Sequence, residues 1–137
     1  MIEIRDLCAA ERGQATSLWH ECDLTVPWND PGDDFDRAVL NETSKVLGGF
    51  KDNVLVATAM VGYEGHRGWV YYVGVRPHLR QNGIAKMMMK AAEDWLRGLG
   101  APKVMLMVRA GNQAAETLYE SLGYEVSPVK TYGKFFD

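Results

Sequence analysis

Ile2 and Ile4 alternate with Glu3 and Arg5, the two-residue period of a strand that buries one face, and predict a short edge strand at the start of the chain. From Asp6 to Cys22 the period lengthens. Leu7, Ala10, Leu18, Trp19 and Cys22 recur at three- and four-residue steps, the stripe of an amphipathic helix, with Asp6 available to cap it. The string Pro27-Trp28-Asn29-Asp30-Pro31-Gly32 interrupts that stripe. Beyond it Phe35, Ala38 and Val39 share one helical face, and Asp33, Asp34 and Asp36 fall in the first turn, where the helix dipole favours acids. Lys45 to Phe50 and Val54 to Tyr63, joined by the Lys51-Asp52-Asn53 turn, read as an antiparallel hairpin. Trp69 to Val75 is nearly all β-branched or aromatic, which predicts a central strand.

Pro77 stops that strand, and the stretch from Gly83 to Leu99 is helical, with Ile84, Met87, Met88, Ala91, Trp95 and Leu99 on its apolar side. Gly100 and Pro102 end it. Val104 to Val108 reads as a buried strand, and Asn112 to Leu122 as a helix capped by Asn112 and stopped by Gly123. Tyr124 to Phe136 supplies one or two further strands. The alternation of helices and strands places the chain in the α/β (α+β) class, and with no repeat, low-complexity tract or linker it reads as a single domain over 1–137.

A chain of 137 residues buries about two thirds of its unfolded surface, enough for a core without disulfides or a structural metal. Cys8 and Cys22 form no Cys-x-x-Cys pair and His20, His66 and His78 do not cluster, so no metal site is expected; both cysteines read as small buried side chains. An acid within three residues of the start and no long apolar run argue against a secretory signal or a membrane span and for the cytoplasm. Charge is unevenly placed. Residues 1–42 hold ten acids against three bases, net −7, whereas residues 65–92 hold Arg67, Arg76, Arg80, Lys86 and Lys90 and no acid. One basic segment in an acidic protein points to a single anionic ligand rather than to a nucleic-acid surface.

That segment contains Arg80-Gln81-Asn82-Gly83-Ile84-Ala85 at the start of the long helix. A helix entered through a glycine loop offers unpaired amides and the positive end of its dipole, a phosphate-binding geometry. Gly83 lets the backbone approach closely, Ala85 keeps the next contact small, and Arg80 and Lys86 add charge. The spacing fits neither the dinucleotide fingerprint nor the P-loop.

Arg80, Gly83 and Ala85, followed by Asn112, Ala115, Leu118, Tyr119, Glu120, Gly123 and Tyr124, give a pattern that resembles the GNAT N-acetyltransferases. The element order follows that family along essentially the whole chain. The resemblance implies a central, mostly antiparallel mixed sheet of six to seven strands flanked by about four helices. It implies acetyl-CoA as co-substrate, its pyrophosphate on the amides of Gln81, Asn82, Gly83, Ile84 and Ala85 beside Arg80, with Asn112 as a further contact. The pantetheine would lie along the strand carrying Val73 and Val75, and Gly74 would mark a bulge there. Pro27-Trp28-Asn29-Asp30-Pro31 and the run Gly62 to Gly68 look like the YpeA subgroup of the family, whereas Val108 to Asn112 also looks like the ribosomal-protein N-terminal acetyltransferases. Those enzymes carry a glutamate where this chain has Met107.

The implied reaction is attack of a primary amine, on a small molecule or a peptide N-terminus, on the thioester, with no metal and no membrane or nucleic-acid partner; a homodimer is compatible with the family. Tyr119 is the candidate acid for the leaving thiolate, a phenol being of comparable basicity. Its alternative is a core tyrosine. Because Met107 cannot take a proton, Glu64, between Gly62 and Gly65, is the candidate base, with Asp30 or a water chain as alternatives. Alternation sends one of Tyr71 and Tyr72 to the cleft and the other to the opposite layer. Trp28 reads equally as an acceptor wall or a core residue, and Asn112 as a cofactor contact or a plain cap. The acidic first third would favour a cationic acceptor. A non-catalytic acetyl-CoA-binding module is the rival reading.

Overall fold

Asp52 and Asn53 both adopt left-handed backbone, φ 51° and 66°, as a two-residue hairpin turn that matches the twist of its strands requires. They join β2 (Ser44–Lys51) to β3 (Val54–Tyr63) in the computed structural model, which describes residues 1–136. β1 (Glu3–Asp6) pairs antiparallel on the outer side of β2, β4 (Gly68–Val75) pairs antiparallel with β3, and β5 (Val104–Leu106) pairs parallel with β4. Among the described residues the sheet thus has five strands in sequence order, not six to seven. The shortfall lies in the segment from Tyr124 to Phe136, which forms no strand. Local β-propensity makes a strand only where a ladder partner accepts it, and Pro128 can donate nothing to one.

The chain packs as two compact units, residues 1–107 and the remainder from Val108. In the first, Gly48 and Gly49 of β2 mark the two faces of the sheet. Beside Gly48 stand Leu7, Leu55 and Phe50, part of the core that α1 (Arg12–Glu21) and α2 (Pro31–Leu40) share through Leu18, Trp19, Phe35 and Ala38. Beside Gly49 stands Met88 of α3 (Ile84–Gly98), which covers the other face. The buried stripe of α3 is Ile84, Met88, Met89, Ala92 and Leu96, one position round from the expected Met87-Ala91-Trp95-Leu99 line. The runs Met87-Met88-Met89, Ala91-Ala92 and Trp95-Leu96 satisfy either stripe, and packing chose. The second unit holds α4 (Gln113–Ser121), capped by the Asn112 side chain on the Ala115 amide at 3.1 Å and ended by Gly123 at φ 92°. No helix among the described residues is long and apolar enough to cross a membrane.

The start of the first helix departs from expectation. Asp6 lies in β1 and pairs with Lys45, and the chain enters α1 through a 3-10 turn, Ala9–Glu11. Glu11 does the capping: its Oε1 accepts from the Cys8 amide at 2.9 Å, and both carboxylate oxygens accept from the Arg5 guanidinium at 3.0 and 2.7 Å. Arg5 in turn lies 4.1 Å over the Phe50 ring. Cys8, at this exposed turn, is not a core residue, while Cys22 is half-buried with its thiol pushed up by burial and donating to the Val75 carbonyl at 3.3 Å.

The Arg5 fork and the Cys8 amide hold the Glu11 carboxyl down at about 2, from an ordinary 4.5. The unfolded chain therefore binds the extra proton, and this contribution is complete above pH 4.5 and lost as pH falls towards 2. Glu11→Gln is expected to destabilise the fold by about 1.5–3 kcal/mol at pH 7. Denaturant titrations at pH 7, 4 and 2.5 should show its difference from the parent shrink as the pH falls; a constant difference would overturn the assignment.

Candidate active site

β4 is the strand that the sequence singles out, and its two edges are unequal. Against β3, Thr58 faces Gly74 and Met60 faces Tyr71, so Ala59 stands opposite both Tyr72 and Val73. That is a β-bulge. Its residue is Tyr72, at φ 51° the one left-handed non-glycine within a strand among the described residues. The bulge thus sits before Gly74, and Gly74 has another reason to lack a side chain: a Cβ there would stand 2.8 Å from Leu24 Cδ1. The extra residue also resets the alternation. Tyr72 stacks on Trp19 of α1, centroids 3.9 Å apart, and Tyr71 lines a cavity of about 190 Å³ with Arg37 and Ala38 of α2 and Asn41 just past it. Both tyrosines face the α1–α2 layer, where strict alternation would have separated them.

On its other edge β4 meets β5 only through Gly68, Trp69 and Val70. From Tyr71 to Val75 that edge has no strand partner among the described residues. A row of main-chain donors and acceptors there can pair with an extended ligand. Val73 and Val75 lie on this stretch. No sequence signal announced it, because Val104 to Val108 is apolar enough for a longer strand than the one that forms.

Past β4, Gln81 and Gly83 adopt φ 66° and 76° on either side of Asn82, whose Nδ2 donates to the Leu79 carbonyl at 3.0 Å. Left-handed residues in alternation with ordinary ones turn successive amides towards one concavity. Gly83 caps α3 without a side chain, and the first helical amide to find a carbonyl is that of Met87, on Gly83 at 3.1 Å. Among the described residues nothing accepts a hydrogen bond from the amides of residues 81–86. These amides, at the positive end of a fifteen-residue helix, form an anion cradle. Ile84 sends its side chain into the core, so only its backbone serves there, and Ala85 is half-buried. Arg80 is tied down, its Nε donating to the Val75 carbonyl at 3.0 Å, while Lys86 is exposed.

The two candidate carboxylates close their own turns instead. Glu64 accepts from the amides of Arg67, at 2.6 Å, and His66, and these bonds hold the carboxyl below its ordinary range. A carboxylate so held is a weak proton acceptor. Asp30 caps α2, accepting from the Asp33 amide at 3.1 Å. Trp28 is 65% exposed and therefore no core residue; it lines a groove of about 650 Å³ with Arg12, Thr16, His20 and Pro31. Six of the ten carboxylates of the acidic first third are ion-paired within the fold. Asp6, Glu11 and Glu21 pair with Lys45, Arg5 and Arg76, Asp33 and Asp36 with Arg12, and Asp34 with Arg37.

In the second unit Tyr119 is on α4, its ring edge-on to Tyr124 with centroids 5.8 Å apart. Burial pushes its phenol above 10, and no described residue hydrogen-bonds its hydroxyl. The Asn112 oxygen is taken by the cap.

Comparison with known proteins adds to this geometry. The acetyltransferase (GNAT) family model matches residues 5–124. Among solved structures, the aminoglycoside acetyltransferase AAC(6')-Iy in complex with a CoA-linked bisubstrate analogue superposes with a TM-score of 0.83, at 18% identity over 99% of each chain. A ribosomal-protein-alanine N-acetyltransferase from Brucella melitensis gives 0.78 at 17% over the whole of both chains. A predicted acetyltransferase from Clostridium acetobutylicum, solved with acetyl-CoA, gives 0.82 at 15%, over 98% of this chain and 96% of that one.

Inorganic pyrophosphate is expected to shift the amide resonances of residues 81–86 and leave those of the Glu64–Gly68 loop in place. Gly83→Glu, which puts a side chain on a left-handed residue and a like charge in the cradle, should remove those shifts in a ¹H–¹⁵N titration. Shifts that survive the substitution would move the anion site elsewhere.

Proposed function

The chain belongs to the GNAT acetyltransferase family, and on that footing we propose that it transfers the acetyl group of acetyl-CoA to a primary amine of a small molecule or peptide by direct attack. The observation that carries this reading is the sequence of the amide cradle at 81–86 after the stretch of β4 from Tyr71 to Val75, beyond the end of its pairing with β5. The first suits a pyrophosphate and the second an extended amide-bearing arm such as pantetheine, so one ligand spans both. Structures of similar fold are described with CoA or acetyl-CoA bound.

In the proposed reaction the amine nitrogen bonds to the thioester carbon, the C–S bond breaks, and the leaving sulfur takes a proton from Tyr119. A phenol raised by burial stays protonated at neutral pH, as an acid must, and its hydroxyl has no competing partner among the described residues. The ammonium proton passes to water, because the Glu64 carboxylate is lowered and bonded to its own turn. The acceptor is of a class shared with aminoglycosides and with the N-terminal amine of a ribosomal protein, which name the substrates of two similar folds. The peptide-specific variant is the weaker reading: Met107 stands where a base would be wanted, and it is 54% exposed. The strings at 27–31 and 62–68 support a place in the YpeA-like branch.

The test is release of free CoA thiol across a panel of polyamines, aminoglycosides, amino acids and peptide N-termini, beside thermal melts. Acetyl-CoA at 100 times its Kd is expected to raise Tm by about 10 °C. A shift without thiol release from any amine would leave a binding module, and no shift would remove the cofactor.

Tyr119→Phe is expected to lower kcat about 10²- to 10⁴-fold with little change in acetyl-CoA affinity. Glu64→Gln is expected to keep the parent's pH profile of kcat/KM; loss of the acidic limb in that variant would restore Glu64 as the base.

A further inference from the structure

Tyr71 is the first residue of β4 beyond its pairing with β5, and it lines the cavity of about 190 Å³ beside α2. The base of that cavity is apolar, with Ala38 of α2 and Met60 of β3 both buried. Its polar lining is cationic or neutral: Arg37 and Asn41, both exposed, and Ser44. No carboxylate lines it among the described residues. Asp34, the ion-pair partner of Arg37, is engaged through both oxygens, Oδ1 accepting from Arg37 Nη2 at 2.6 Å and Oδ2 from the Tyr72 phenol at 2.7 Å. That pair takes one guanidinium nitrogen and leaves Arg37 Nη1 and Nε without a partner among the described residues. Asn41 accepts through Oδ1 from the Thr43 amide at 3.4 Å, so its Nδ2 is also a donor to spare. The Ser44 hydroxyl is not one, because it donates to the Ala38 carbonyl at 2.8 Å.

A guanidinium and an amide N–H₂ above an apolar base suit a carboxylate attached to an apolar group. A polycation suits neither, since it would meet a like charge and find no carboxylate to answer its own. Size narrows the choice further. The cavity is smaller than the roughly 300–1,000 Å³ that encloses a drug-sized molecule, so it holds a single small residue rather than an oligosaccharide. Position supplies the link to the reaction. With phosphates in the cradle beyond Val75, the pantetheine arm runs back along β4, and its reactive end comes towards Tyr71. We propose that this cavity is the acceptor subsite and that the acceptor is a free α-amino acid with an apolar side chain. Its carboxylate lies on Arg37 and Asn41 and its side chain against Ala38 and Met60, which leaves the α-amine on the Tyr71 side. The inference rests on the acetyl-CoA reading above and narrows its primary amine to one class. The bonds made and broken are those already given, and the product is an N-acetylamino acid. A cationic acceptor, which the acidic first third suggested, is not what the lining of this cavity selects.

The experiment measures CoA thiol release with leucine, methionine and phenylalanine, each beside its amide and its decarboxylated amine, and with spermidine and kanamycin. The free acids are expected to exceed their amides and amines in kcat/KM by about tenfold or more. Arg37→Gln should raise the leucine KM about 10- to 100-fold and move that of leucinamide less than about threefold, with acetyl-CoA Kd unchanged; Arg37→Lys should recover part of the loss. Asn41→Asp leaves the Arg37–Asp34 pair in place and sets a like charge against the carboxylate, so it should raise the leucine KM as well, and it serves if Arg37→Gln does not fold. Equal or better turnover of the amides, the decarboxylated amines, spermidine or kanamycin would overturn the proposal and leave acetyl transfer standing. So would a leucine KM unmoved in both Arg37→Gln and Asn41→Asp. Thiol release from no amine at all would instead remove the functional reading, and this inference with it.

Discussion

β5 pairs with β4 over three residues and then stops, and the chemistry available to the chain follows from that limit. Had the ladder continued to Val75, the main-chain groups between Tyr71 and Val75 would be satisfied internally and no extended ligand could use them. Because it does not, β4 is paired on both sides at its start and on one side at its end. The long helix that connects it to β5 begins where the singly paired half ends, which brings the amide cradle to the same end of the strand.

The sequence was most legible where a local rule decides the outcome. Asn112, Gly123 and the Asp52-Asn53 turn each act through their own backbone, so their places could be read directly. The cradle was legible for the same reason, since Gly83 and the basic run sit within a few residues of one another. What was hidden depends on which of several available partners a group takes. Tyr72, at the bulge, meets Thr58, Trp19 and Asp34 from three other elements, and nothing in the string Tyr71 to Val75 says so. Glu64 was the candidate base because its flanking glycines permit a tight turn, whereas the turn folds its carboxylate onto the following amides. Asp6 gave way to Glu11 as the cap because Arg5, on the neighbouring strand, fixes the Glu11 carboxylate.

Electrostatics tell a similar story. The acidic excess of the first third invites a picture of a negatively charged wall, but most of those carboxylates hold Arg5, Arg12, Arg37, Lys45 and Arg76 in place. Salt bridges between partly exposed groups contribute little stability each, and their effect here is to cancel field rather than project it. The positive end of α3 is different. Its charge comes from unpaired amides that cannot be neutralised by a neighbouring side chain, so the anion cradle keeps its field whereas ion pairing reduces that of the acidic surface.

The parallel pairing of β5 also sets an order of assembly. The strands from β2 to β4 follow one another through short turns, and each can zip onto the last with little chain to close. β5 reaches β4 only after the whole of α3 has folded back across the sheet, so the chain loses that closure entropy before a single rung forms in return. The open edge is therefore bounded by a pairing between Gly68 and Val104 that is distant along the chain, exceeded in the sheet only by that of β1 with β2. During synthesis all of β4 is made before the strand that limits its open edge.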